Sequence, residues 1–435
     1  MKIWKRRRSP ISQGSELTIQ KHSRLIHNGL QVLPTLKHGI PGALGDKRWT
    51  AELILATYEQ ASTGKPPSKV EYKIGKSGGG FDRLNFKSQA PPTSEVEDCD
   101  LSIELNRRHS GPKINIPIPI YGAGMSFGSV SLNFMLARAI AAERLGSFTS
   151  TGEGGYPTPL MEYKDHVITQ IATGMFGVRE DTIQAARIVE FKYAQGAKPG
   201  LGGHLLADKV TSEVASMRES MPFTSLYSPF PFHSVYSVED HKKHVDWIRA
   251  VNPKCLVSVK VSTPVDVDMV AIGSYYANAN ILHIDGGYGG TGAAPEIAKK
   301  NIAMPIEYAI PKVHRYLTQE GVRDELTVMA SGGIRTAYDV AKAIALGADG
   351  CVIGTAEAVA VGCTHCGNCE RGRGCQVGIT TTDPELSQLI QPEWAAQRII
   401  NLCTSWTGQL RSILSSLRLK SIKELRGRTD LLIYK

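Results

Sequence analysis

The sequence predicts an α/β fold, a (β/α)8 barrel, on three observations. From about residue 115, short apolar runs alternate with amphipathic stretches, which is the signature of parallel strands joined by helices. There are eight such runs over roughly 240 residues, close to what a closed barrel takes and more regular than an open sheet requires. The bodies of the runs are apolar while their ends are rich in Gly and polar residues, so the C-terminal face of the barrel is the expected site.

Taken in order, residues 1–110 form an N-terminal extension without a clean repeating unit, read as irregular and packed on the barrel. The barrel itself is expected over 111–390. Its strands are Ile116–Gly122, Ser147–Gly152, Val167–Thr173, Ile188–Gln195, Cys255–Ser262, Ile281–Gly286, Leu326–Ser331 and Gly350–Gly354. Helices are expected at Ser131–Leu145, Val238–Ala250 and Ala337–Leu346. A cysteine-rich loop at 363–375 follows the last strand. Residues 391–435 form a short helical tail with Ile399, Ile400, Leu402, Leu410 and Ile413 as its buried residues.

Composition narrows the function classes. Hydrophobic residues at 42% and charged residues at 21% fit an ordinary globular chain, and no apolar run reaches the ~20 residues of a membrane span. The opening MKIWKRRRSP lacks the apolar core of a secretory signal, so a cytoplasmic location is expected. The net charge of +9 suits steering of an acidic partner. Apart from Lys5-Arg6-Arg7-Arg8 the cations are spread along the chain, so no nucleic-acid partner is expected.

Candidate binding residues lie where strands meet glycine. Ser331-Gly332-Gly333 and Gly354-Thr355 close the last two units, the place where such a barrel commonly holds phosphate on backbone N–H groups. The absence of G-x-G-x-x-G opening a βαβ unit favours FMN over FAD or a nicotinamide. Lys260 ends an apolar strand and can stabilise negative charge on a reduced flavin. Asp285-Gly286-Gly287 opens a stretch with five glycines in seven residues, which either cradles a ligand or forms a flexible lid. Cys363, Cys366, Cys369 and Cys375 follow C-x2-C-x2-C-x5-C spacing, which matches an iron–sulfur loop better than the separated pairs of a zinc site. The other cysteines, Cys99, Cys255, Cys351 and Cys403, read as buried small hydrophobes.

Six segments, in unbroken order from about 115 to 385, resemble the FMN domain of glutamate synthases. They are Gly124-Met125-Ser126-Phe127-Gly128-Ser129, Thr151-Gly152-Glu153-Gly154-Gly155, Ala194-Gln195-Gly196-Ala197-Lys198-Pro199-Gly200, Tyr236-Ser237-Val238-Glu239-Asp240, Gly289-Gly290-Thr291-Gly292-Ala293 and the cysteine segment ending Val377-Gly378-Ile379. The resemblance implies that FMN and the iron–sulfur cluster serve reduction of 2-iminoglutarate, formed from 2-oxoglutarate and ammonia, to glutamate. It implies substrate carboxylates on Lys198 and Arg218, acids at Glu153 and Glu239, and flavin contacts at Met125, Ser126, Thr151 and Gln195. A dicarboxylate does need two cations, and Arg grips a carboxylate bidentately. The family uses three cysteines for [3Fe–4S], matching Cys363, Cys369 and Cys375. Cys366 adds a fourth thiolate, which tilts the expectation to [4Fe–4S].

No cysteine follows Met1, so the resemblance implies ammonia from a glutaminase (amidotransferase) subunit or from solution, electrons from ferredoxin or an NAD(P)H-oxidising subunit, and an oligomer. Two departures fall near the substrate: His204 stands where Gln is usual, and Phe230-Pro231-Phe232-His233 replaces paired histidines. They leave room for an N-methylglutamate synthase-type subunit using methylamine. A non-catalytic electron-transfer subunit is the other alternative, although it would have no need of Lys198, Arg218 and Glu153.

Overall fold

The computed structural model describes residues 46, 48–68, 80–87, 99–202, 204–292, 294, 298–299, 301–370 and 373–434. Eight parallel strands make the barrel: β1 (Ile120–Gly122), β2 (Thr149–Ser150), β3 (Val167–Ala172), β4 (Ile188–Lys192), β5 (Leu256–Ser262), β6 (Ile281–Asp285), β7 (Thr327–Ser331) and β8 (Gly350–Ile353). They pair in the order β1-β8-β7-β6-β5-β4-β3-β2. The remaining seam is held by the Gly122 N–H, which donates to the Phe148 carbonyl at 2.8 Å, and by a parallel bridge of Gly124 with Ser150. β3, β4, β6, β7 and β8 are buried at every position, which is why they read as continuous apolar runs.

All eight expected strands are present, and one is corrected. Ile116 belongs to a separate antiparallel pair, Ile103–Glu104 with Asn115–Ile116, and β1 begins only at Ile120. Pro117 and Pro119 lie between them and have no N–H to continue a ladder.

The expected helices form at Leu132–Arg144, Val238–Val251 and Ala337–Leu346. Each is started by a hydroxyl cap: Ser131, Ser237 and Thr336 accept from the N–H of Phe134, Asp240 and Asp339.

The described residues of the extension contain regular structure that the sequence reading did not expect. Ala51–Thr63 is a helix capped by Thr50 and stopped by Gly64 at φ +68°. It packs on the 25-residue helix Pro392–Ser416, where Gln409 Nε2 donates to Gln60 Oε1 at 2.8 Å and Arg398 Nη1 to Ser62 Oγ at 2.9 Å. Farther on, Leu84–Phe86 pairs antiparallel with Leu432–Tyr434. In Pro392–Ser416 the residues Ile399, Leu402, Leu410 and Ile413 are buried as expected, but Ile400 is only half-buried. It stands about 100° around the helix from Ile399, off the apolar stripe. Cys99, Cys255, Cys351 and Cys403 are buried. No helix among the described residues is long and apolar enough to cross a membrane.

Candidate functional site

The C-terminal strand ends open into a cavity of about 450 Å³. Five cationic side chains, Lys192, Lys198, Lys209, Arg218 and Lys260, share its wall with three carboxylates, Glu153, Asp285 and Glu370. The excess of positive charge marks a site for an anionic ligand.

Arg218 closes the helix Ser212–Arg218 and is 2% exposed. Its Nη2 donates to Ser126 Oγ and to the Phe127 carbonyl, both at 3.1 Å. Its Nε and Nη1 are buried without a hydrogen-bond partner among the described residues. Burial lowers its pKa to about 10 although Glu153 lies nearby. Gly154, at φ +132°, lets the loop after β2 cross this guanidinium, since a β-carbon there would stand 2.8 Å from Arg218 Cζ. Lys198 is 5% exposed, and its burial together with Lys192, Arg218 and Lys260 pulls its pKa down to about 8. Lys192, at the end of β4, makes a buried ion pair with Glu153 and donates to Gln195 Oε1 at 2.7 Å.

Lys260, two residues before the end of β5, stands 3.8 Å from Asp285 Oδ2. Asp285 is fixed in turn by Ser331 Oγ at 2.5 Å and by the Gly196 N–H at 3.0 Å. Glycine is required where these loops touch: a β-carbon on Gly196 or on Gly332 (φ +91°) would stand 2.0 or 2.3 Å from the Gly286 carbonyl oxygen. Gly332, Gly333, Gly354 and Thr355 line the cavity with bare backbone, as a phosphate turn needs.

Beside this wall lies the cysteine loop. Cys363 and Cys369 line the cavity, Cys375 is partly buried and Cys366 is exposed. Burial pushes the Cys363 thiol up to about 12, with Cys369, Cys375 and Cys366 adding to the rise. Among the described residues no three His, Cys, Asp or Glu side chains are already gathered as a metal-ligand set. Lys209 Nζ clips the loop down by donating to the carbonyls of Cys369 at 2.7 Å and Thr380 at 3.0 Å. His365 pairs with Asp46 at 3.3 Å and stacks on Trp49, with ring centroids 6.4 Å apart.

The cavity therefore gathers Glu153, Lys198, His204, Arg218, Met125, Ser126, Gln195, Lys260, Asp285, Gly332, Gly333, Gly354, Thr355, Cys363 and Cys369. Thr151, Gly286 and Gly287 do not line it. Thr151 Oγ1 is turned to the Gly152 carbonyl and the Gln170 N–H, and Gly286 and Gly287 serve close loop packing. Glu239 does not line the cavity either. It is exposed on the first turn of Val238–Val251, beside the cap Ser237, where an acidic residue answers the helix dipole. Lys192, Lys209, Trp49 and Tyr288 line the cavity without having been singled out. Lys192 carries the same signal as Lys260, an apolar strand ending in a cation. The other three have no local signal.

A family model described as a conserved region in glutamate synthase matches residues 78–420. The archaeal glutamate synthase [NADPH] of Methanocaldococcus jannaschii is 44% identical over 368 residues, 84% of this chain and 69% of that protein. The archaeal-type glutamate synthase [NADPH] of Dehalococcoides mccartyi is 37% identical over 406 residues, 87% of this chain and 79% of its own. The large chain of the Azospirillum brasilense enzyme is 36% identical over 381 residues, 86% of this chain but 24% of its own. Among solved structures, a flavocytochrome b2 variant with pyruvate bound superposes with TM-score 0.52 at 15% identity, covering 95% of this chain and 91% of its own. That likeness supports the barrel fold alone.

Proposed function

Because the chain belongs to the glutamate synthase family, and is thereby an FMN-type oxidoreductase acting on CH–NH2 donors, we propose that its cavity reduces 2-iminoglutarate to glutamate. The observation that carries this reading is Arg218. A guanidinium 2% exposed, with two nitrogens lacking a hydrogen-bond partner among the described residues, is costly unless an anion arrives to meet it. Lys198 beside it supplies the second cation that a dicarboxylate requires.

Each chain residue then has a task. Arg218 and Lys198 take the two carboxylates and fix the reacting carbon. Glu153, held by Lys192, accepts from the substrate nitrogen, and the pair keeps a proton at Lys192 Nζ that can pass back through the carboxylate. The bare turns Gly332-Gly333 and Gly354-Thr355 fit the phosphate of FMN, and Lys260, oriented by Asp285, fits the edge of its ring that gains negative charge. When bound there, FMN supplies hydride chemistry. Cys363, Cys369 and Cys375, with Cys366 as a fourth thiolate, are a donor set suited to an iron–sulfur cluster, which supplies one-electron delivery.

NADPH, the reductant in the names of the archaeal-type relatives, is the proposed source of electrons in place of ferredoxin, and a glutaminase the proposed source of ammonia. The test is reoxidation of the photoreduced protein by 2-oxoglutarate with ammonium or with methylamine. Reoxidation by the ammonium pair supports glutamate synthesis. Reoxidation by the methylamine pair alone moves the assignment to N-methylglutamate chemistry, and none with either points to an electron-transfer subunit.

A further inference from the structure

Arg48 lies outside the stretch 78–420 that matches the family model and does not itself line the cavity, but it packs on Gly333 and Tyr288, which do. It is 9% exposed. Its guanidinium stacks on the ring of Tyr288, a cavity residue, with Cζ 3.7 Å from the centroid. Its carbonyl is held by Arg335 Nη1 at 3.0 Å. Its Nη1 stands 4.0 Å from Glu307 Oε1, at the limit of an ion pair.

The other edge of this guanidinium, Nε with Nη2, is buried and has no partner among the described residues. Those two nitrogens are the fork that arginine uses to hold two oxygens of one anion. Nη2 packs directly on Gly333, 3.1 Å from where a β-carbon would stand, and Gly333 lines the cavity at the phosphate turn. The cations nearest in the chain are already engaged. Arg335 is paired with Asp82 and Asp339, and Lys342 donates to the Phe81 carbonyl at 2.9 Å.

We infer that Arg48 is the side-chain ligand of the flavin phosphate, contributed by the N-terminal segment through its Nε–Nη2 edge. The inference rests on the FMN reading. Backbone N–H groups of a glycine turn bind phosphate as dipoles and leave its charge largely unanswered. A buried fork beside the turn answers that charge.

The experiment compares FMN with riboflavin, which shares the ring and ribityl chain but lacks phosphate. The full chain is stripped of flavin, and each ligand is titrated by quenching of flavin fluorescence. Arg48→Met should weaken FMN by roughly tenfold to a hundredfold and leave riboflavin unchanged. Arg48→Lys keeps the charge and loses the fork. It should show a smaller loss confined to FMN, and it carries the test if Arg48→Met does not fold. Equal weakening of both ligands, or no weakening of FMN, overturns the inference. Failure of the unsubstituted chain to bind either flavin overturns the FMN reading instead, so the two failures are distinguishable.

Discussion

Both ends of the barrel bury arginine, and they treat it in opposite ways. At the N-terminal end, Asp349 just ahead of β8 meets Arg107 at 2.8 Å, Arg323 at 2.9 Å and Arg426 at 3.0 Å. Asp324 takes a second nitrogen from Arg107 and from Arg426. Arg323 spends its remaining donors on His314 and on the carbonyls of Leu326 and Gly347. At the C-terminal end, Arg218 and Arg48 each keep two nitrogens without a hydrogen-bond partner among the described residues. A buried guanidinium whose donors are all used holds the fold together. One left partly unsatisfied is a binding site whose cost is recovered only when ligand arrives.

The largest effect expected from this contrast is on stability. Asp349→Ala leaves three arginines around an empty center and should cost about 3–5 kcal/mol in chemical denaturation. Affinity of the folded fraction for 2-oxoglutarate should stay the same. Arg218→Ala should do the reverse, weakening 2-oxoglutarate by about 2–4 kcal/mol in calorimetric titration. Its melting temperature should hold or rise, because an uncompensated buried charge has been removed. A collapse of stability with unchanged affinity would erase the distinction between the two ends.

The smallest effect is the pH response of Lys198, whose pKa of about 8 lies below its unfolded value. As pH rises through 8 the ammonium is lost, so 2-oxoglutarate affinity should fall, by roughly tenfold between pH 7 and pH 9. Stability should move the other way. Between pH 8 and the unfolded pKa the unfolded chain binds more protons than the native one, so this group's contribution rises with pH. Lys198→Met should remove both trends, and their survival in that variant would assign them to another group.

Much of the architecture was legible because its signals are local. Eight apolar runs and paired glycine turns each record a backbone requirement at the residue that meets it, and all eight strands follow from them. β1 was misjudged because Pro117 and Pro119 interrupt an apolar run that otherwise looks continuous. The extension was misread although Thr50 and Gly64 bracket its helix, since the apolar face of Ala51–Thr63 has meaning only against Pro392–Ser416.

At the site the same division holds. Sequence by itself determined the barrel, the glycine turns at Gly332 and Gly354, the cation Lys260 in β5 and the clustered thiols, all of them short-range patterns of chain chemistry. Only the tertiary structure decided which charges are satisfied. Glu239 is carried to the surface by a helix start, while Lys192, Lys209 and Arg48 are brought in from separate parts of the chain. Whether an arginine pairs like Arg323 or stays open like Arg218 depends on carboxylates distant in sequence. Coulomb attraction and desolvation act on separation in space, and no spacing along the chain encodes that.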